Sequence, residues 1–147
     1  MANIAEELLV MLNKALELEH AARIQYLAHA EQIKGQDAEK IIERLKEIAS
    51  DEEKHEGKFR NLIGSYLGGV PSMSMAETHQ AEDREEIFAV NLKDEKSAID
   101  FYKTIYRKIM DNKGELKYEF ETFEHEIRHV IMDEEEHVTE LNLLLCE

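Results

Sequence analysis

The stretch Ser50-Asp51-Glu52-Glu53-Lys54-His55-Glu56 has a near copy downstream, Met132-Asp133-Glu134-Glu135-Glu136-His137-Val138. Both read Asp-Glu-Glu-x-His. On a helix, a glutamate and a histidine three residues apart point the same way. Each pair also interrupts an otherwise apolar helical stripe. Glu52 and His55 fall among Ile41, Leu45, Ile48, Phe59, Leu62 and Tyr66. Glu134 and His137 fall among Phe120, Phe123, Ile127, Val130, Leu141 and Leu145. A carboxylate on such a face must be protonated, paired or bound to metal, because burying it unpaired is expensive.

Working outward, the two clusters lie in the second and fourth of four stretches with helical periodicity. The pattern predicts helices over roughly 3–34, 37–67, 82–111 and 115–145. Gly35 closes the first, and Gly68-Gly69-Val70-Pro71 stops the second. Residues 68–81 form a long connection, and Asn112-Lys113-Gly114 a short turn. Nothing reads as a strand. Helices of this length span ~45 Å at 1.5 Å per residue. Short loops make helices 1–2 and 3–4 antiparallel hairpins, and the long middle connection lets helices 2 and 3 lie parallel. The expected fold is all-α, a single domain over 1–147: a four-helix bundle of two antiparallel hairpins joined by a long crossover.

The first and third helices carry interrupted stripes as well. The first runs Leu8, Leu12, Ala15, Glu19, Ala22, Tyr26, His29, and the third Phe88, Asn91, Glu95, Ala98, Tyr102, Ile105, Ile109. The four helices thus supply Glu19, then Glu52 with His55, then Glu95, then Glu134 with His137. Two further Glu-x-x-His pairs, Glu17/His20 and Glu126/His129, differ in phase. At 100° per residue, Glu17 lies about 200° from Glu19 and Glu126 about 100° from Ile127. Those two pairs are expected on the solvated side, and neither His20 nor His29 is taken as a ligand.

Four glutamates and two imidazoles suit two divalent ions, since oxygen-rich sites with imidazole favour iron or manganese. Four negative charges balance two such ions. Glu52 and Glu134, each one turn from a histidine, are the expected bridges. Glu19 and His55 then complete one ion, Glu95 and His137 the other. A metal-binding or purely structural bundle without catalysis stays open at this point.

The two halves form a weak internal repeat. Tyr26 follows Glu19 by seven residues and Tyr102 follows Glu95 by seven. The spacing from Glu19 to Glu52 is 33 residues and from Glu95 to Glu134 is 39, with the extra length expected near the turn between helices 3 and 4. Both tyrosines are read either as core residues or as hydrogen-bonding or redox-active neighbours of the site. Metal-bound histidines usually donate their other N–H to an acceptor. Asp51 and Asp133 are placed to reach the histidine of the opposite hairpin. Glu53, Glu56, Glu135 and Glu136 read as a solvated face.

Composition narrows the class. The chain has 147 residues, 43% hydrophobic and 35% charged, with a net charge of −15. That balance opposes binding to nucleic acid or to an anionic membrane surface and favours cations. No apolar run is long enough for a transmembrane helix. The acidic, amphipathic N-terminus lacks the features of a signal peptide. The one cysteine, Cys146, forms neither an intrachain disulfide nor a Cys-x-x-Cys motif. A reducing cytoplasm is the expected location.

With these residues in place, the chain resembles the ferritin-like di-iron carboxylate proteins, and among them the bacterioferritins most. The carriers are Glu19 with Tyr26, Asp51-Glu52-x-x-His55, Leu67-Gly68-Gly69-Val70-Pro71, Glu95, and Asp133-Glu134-x-x-His137. The resemblance implies a pair of iron ions, with manganese possible, and oxidation of Fe(II) by O₂ or H₂O₂. It also implies an electron donor that the sequence does not identify. Three departures refine this. Glu53 stands where bacterioferritins carry the haem-binding methionine, so no haem is expected. The fourth helix runs to Glu147 without the short fifth helix of the cage-forming members, so a 24-subunit storage cage is not expected; a homo-oligomer is, with a dimer first. Ala98 stands where rubrerythrins have an additional glutamate, and their Cys-x-x-Cys domain is missing. A rubrerythrin-type peroxide reductase is therefore the second reading.

Overall fold

A computed structural model describes residues 3–146. Four long helices carry the fold: α1 (Ile4–Ala30), α2 (Ala38–Asn61), α3 (Arg84–Asp111) and α4 (Phe120–Cys146). No strand occurs among the described residues, and no helix there is long and apolar enough to cross a membrane. The starts of α1 and α3 are capped by side chains. Asn3 accepts from the Glu6 amide, and Asp83 accepts from the Glu86 amide, each satisfying a free N–H of the first turn.

The end of α2 is less regular. Leu62–Tyr66 widens into a π-helical turn in which the Leu67 amide donates to the Leu62 carbonyl, 3.0 Å away. Gly68 then takes φ +69°, a left-handed conformation that favours glycine. A side chain on Gly69 would collide with Leu9. Val70 and Pro71 start the crossover at this point.

The crossover runs along α1. Val70 and Ser72 bond to Asn13, Ser74 to His20, the His79 amide to Gln25, and Ala81 to Gln32. Both numberings rise together, so this segment returns the chain to the α1 C-terminal end. Helix α3 then descends antiparallel to α1: Tyr26 meets Glu95, Tyr102 meets Glu19, and Lys108 meets Glu7. Because α2 also runs against α1, α2 and α3 are parallel, the topology expected of a bundle with one crossover.

Three sequence expectations change. The fourth helix starts at Phe120, not near 115. A single helical turn, Lys113–Leu116, precedes it, and Lys117 with φ +51° breaks the path before a short 3-10 turn. Glu56, expected on the surface, is buried. It sits one turn beyond Glu52 and pairs with Arg23, one turn beyond Glu19; His20 and Arg60 also approach it, at 3.6 and 3.5 Å. His20, expected on the solvated side, is accordingly only partly exposed.

The apolar core falls into two parts. One contains Leu8, Leu12, Phe59, Ile105, Phe123 and Ile127. The other contains Ile41, Leu45, Ile48, Ile87, Phe88 and Leu141. Between them lies a layer of buried polar groups.

Candidate metal centre

All six glutamates and histidines singled out by the stripes meet in that layer. Glu19, Glu52, Glu95, Glu134, His55 and His137 are each at most 3% exposed. Their helical phase turns them inward, and the bundle topology brings the four helices to a common level. The groups form two overlapping sets whose donor atoms lie within 4.8 Å of one another. One is Glu19, Glu52, His55 and Glu134; the other is Glu52, Glu95, Glu134 and His137. Glu52 and Glu134 belong to both.

The decisive feature is what these groups do not bond to. Glu19 Oε2, Glu52 Oε1, Glu95 Oε2, Glu134 Oε1, His55 Nδ1 and His137 Nδ1 are buried without hydrogen-bond partners. His55 Nδ1 lies 3.0 Å from Glu134 Oε1, but the two are misaligned for a hydrogen bond. Buried polar atoms are nearly always satisfied in folded proteins. Six orphans facing one point therefore mark a place for cations, and four carboxylates with two imidazoles are the donors that iron or manganese takes.

The opposite edge of each ligand is tied down. His55 Nε2 donates to Asp133 Oδ2 at 2.8 Å, and His137 Nε2 donates to Asp51 Oδ2 at 3.0 Å. Each aspartate belongs to the hairpin opposite its histidine, as anticipated. A proton fixed on Nε2 leaves the Nδ1 lone pair directed into the cluster. The tyrosines cross over in the same way. Tyr26 Oη donates to Glu95 Oε1 at 2.9 Å, and Tyr102 Oη donates to Glu19 Oε1 at 2.8 Å. Both tyrosines are at once buried core residues and hydrogen-bonding neighbours of the cluster. Burial, reinforced by the surrounding carboxylate charges, holds both phenols protonated well above their usual range, so they act as neutral donors.

Without cations, protons take their place. Burial, then the charges of Glu134, Glu19 and Glu95, push the Glu52 carboxyl far above its ordinary value. Burial, then Glu19 and Glu95, do the same to Glu134. Glu95 moves the other way: burial opposes it, but contacts with Glu134, His137 and Tyr26 hold it below its usual value. Burial disfavours charge on His55, yet Asp133, Glu134 and Glu19 lift it to about 12. His137 is lifted against burial to about 10, chiefly by Glu95 and Glu134. A carboxylate cluster that raises its own proton affinity is one that bound cations would neutralise.

A second polar network was not anticipated. Gln25, Asn91 and His29 are buried beside the site; Gln25 donates to Asn91 Oδ1 at 2.9 Å and to Asp94 Oδ2 at 2.8 Å. Asn91 and His29 contact at 2.9 Å, and His79 from the crossover reaches Asp94 at 2.9 Å. Asn91 and His29 both lie on the inward stripes, and that phase was their only sequence signal.

Comparison with known proteins agrees with this architecture. The family model for the ferritin-like domain matches residues 9–145. The chain belongs to the ferritin-like family. A ferritin-like di-iron-carboxylate protein of Bacillus anthracis str. Ames superposes with a TM-score of 0.89 at 25% identity, covering 99% of each chain. A dodecameric thioferritin, the bacterioferritin-related protein of Bacteroides fragilis, superposes at 0.82 with 23% identity, covering 97% of this chain and 86% of the other. The bacterioferritin of Desulfovibrio desulfuricans, which has a di-iron site, superposes at 0.86 with 20% identity, covering 99% and 84%. None of the curated proteins compared with the chain matches it in sequence. The ferritin-like fold and the carboxylate–histidine cluster together support a role in iron handling.

Proposed function

We propose that the chain is a di-iron protein that oxidises Fe(II) with O₂ or H₂O₂. Glu52 and Glu134 would bridge two ions, Glu19 with His55 would complete one, and Glu95 with His137 the other. The observation that carries this reading is the convergence of six buried, unpartnered donor atoms in two sets sharing Glu52 and Glu134. When bound, a pair of iron ions supplies the two electrons that reduce the oxidant.

The chain's own residues hold the geometry. Tyr26 and Tyr102 fix one oxygen of Glu95 and of Glu19 and leave the other free to face the cluster. Asp51 and Asp133 set the histidine tautomers. The apolar layers above and below the cluster keep water out along the bundle axis and strengthen the electrostatic contacts inside. Manganese could occupy the same donors, and the electron donor is a separate molecule. No haem is part of this reading, because Glu53 stands where bacterioferritins carry the haem-binding methionine. The reading includes a homo-oligomer, with a dimer first. Val10, Ile24 and Leu27 leave apolar surface exposed on α1 for such contacts.

Aerobic addition of Fe(II) tests the proposal. A near-ultraviolet ferric-oxo band that saturates at two irons per chain and is lost in Glu52→Ala is the expected result. Absence of saturation, with Glu52→Ala like the parent, would reduce the chain to a structural bundle. Reaction with peroxide outpacing O₂ by orders of magnitude would select the peroxide-reductase reading instead.

A further inference from the structure

A cavity of about 430 Å³ opens between α1 and α3 under the crossover and ends on the cluster. Its floor is made by Glu52, Glu95 and Glu134 with Tyr26 and Tyr102. His55 and His137 do not line it, so it reaches the site from the carboxylate side. Its walls are Leu18, Ala21, Ala22, Ala98 and Phe101. Small side chains on facing helices create the space, and Ala98 does so one turn from Glu95. The volume falls in the range of small-molecule pockets, roughly 300–1,000 Å³.

The mouth is polar. Lys14, Lys93, Glu77, His79 and Asp94 surround it. Asp94 already accepts from Gln25 and contacts His79. Lys14 Nζ stands 4.9 Å above the centre of the Phe101 ring, which holds the ammonium at the junction of mouth and apolar wall. Among the described residues Lys46, Lys58, Lys103 and Lys108 form ion pairs, whereas Lys14 and Lys93 do not. The mouth thus carries two lysines free of ion pairs beside Glu77 and Asp94, in a chain whose net charge is −15.

We propose that this cavity binds a small amphipathic monocarboxylate, its apolar body between Leu18, Ala22, Ala98 and Phe101 and its carboxylate at Lys14 and Lys93. The inference deepens the di-iron reading by giving the site an organic ligand, yet it stands on the cavity's own walls.

Calorimetric titration of the metal-free and the Mn(II)-loaded chain with octanoate and with octylamine tests it. Saturable binding of octanoate at one per chain is expected, at least tenfold tighter than octylamine. Lys14→Glu should weaken it tenfold or more. Filling the cavity by Ala98→Phe, or by the milder Ala22→Leu, should do the same, while Ala98→Ser should bind as the parent does. Failure of octanoate to bind either form would overturn the proposal. So would equal binding of the amine, or binding unchanged in Lys14→Glu and in both filled variants. If octanoate binds the metal-free chain but Mn(II) does not, the metal reading falls and the cavity assignment survives.

Discussion

Asp133 offers a sharp test of how the chain holds its ligands. Its Oδ2 receives the Nε2 proton of His55 at 2.8 Å, across the interface between hairpins. Replacing it with alanine leaves all six proposed ligands intact but frees the His55 ring to rotate and to change tautomer. Loss of such an outer partner typically weakens metal binding by about 10–100-fold. That corresponds to about 1.4–2.7 kcal/mol at 1.36 kcal/mol per tenfold. Removing Asp133 also removes one negative charge near the cations, which alone lowers affinity. Glu53→Ala is the control: it removes the same charge from an exposed position beside Glu52 without touching a histidine. Calorimetry with Mn(II) should show Asp133→Ala and its counterpart Asp51→Ala, whose partner His137 is 3.0 Å away, weakened well beyond Glu53→Ala. Equal affinities for Asp133→Ala and Glu53→Ala would mean that only the local field matters, and the tautomer argument would be wrong.

Further outcomes follow from the same geometry. His55 at about 12 and His137 at about 10 both lie above the unfolded value of 6.5, and Glu52 and Glu134 lie above theirs of 4.5. The folded metal-free chain therefore binds more protons than the unfolded chain, and its stability should fall as pH rises above about 4.5, and further from about 6.5 toward 10 as the histidines contribute. Bound Mn(II) should flatten that fall, which melting curves with and without the metal can check. Tyr26→Phe leaves Glu95 without its donor, and Tyr102→Phe does the same to Glu19. Each should cost about 1.5–3 kcal/mol in denaturant unfolding of the metal-free chain, the range for hydrogen bonds to charged groups. A loss below ~0.5 kcal/mol in both would show that these contacts are not formed in solution. Gly68→Ala forces a side chain into φ +69° and should destabilise by about 1–2 kcal/mol, read by the same unfolding curves.

How much of this was legible in the sequence depends on the kind of information each residue carries. Helical phase is local, so Glu19, Glu52, His55, Glu95, Glu134 and His137 could be placed on one inward layer before any helix was packed. The crossing of Asp133 to His55 and Asp51 to His137 could also be anticipated, because the repeat makes the two hairpins equivalent. The tyrosines were harder. Seven residues place each on the face of its neighbouring glutamate, but the bond goes to the glutamate on the opposite helix, 69 and 83 residues away in sequence. Only the antiparallel packing of α1 on α3 sets that register. Glu56 was misread because its neighbours in the chain are charged. Its phase, one turn after Glu52, matches the burial and the pairing with half-buried Arg23 that the structure displays. The late start of α4 depends on the left-handed Lys117, which no residue preference announces. The cavity depends on Ala22 and Ala98 facing each other across two helices, and a single sequence carries no mark of that.

Four helices that build one site for two ions must bind two ions per chain. Anaerobic equilibrium titration with Fe(II), with bound metal counted per chain, tests it most directly. Saturation at two ions per chain is expected in the parent, with a large loss of both in Glu134→Ala, since that carboxylate belongs to both donor sets. Saturation at one ion, no saturation, or a Glu134→Ala chain that still binds two would contradict it.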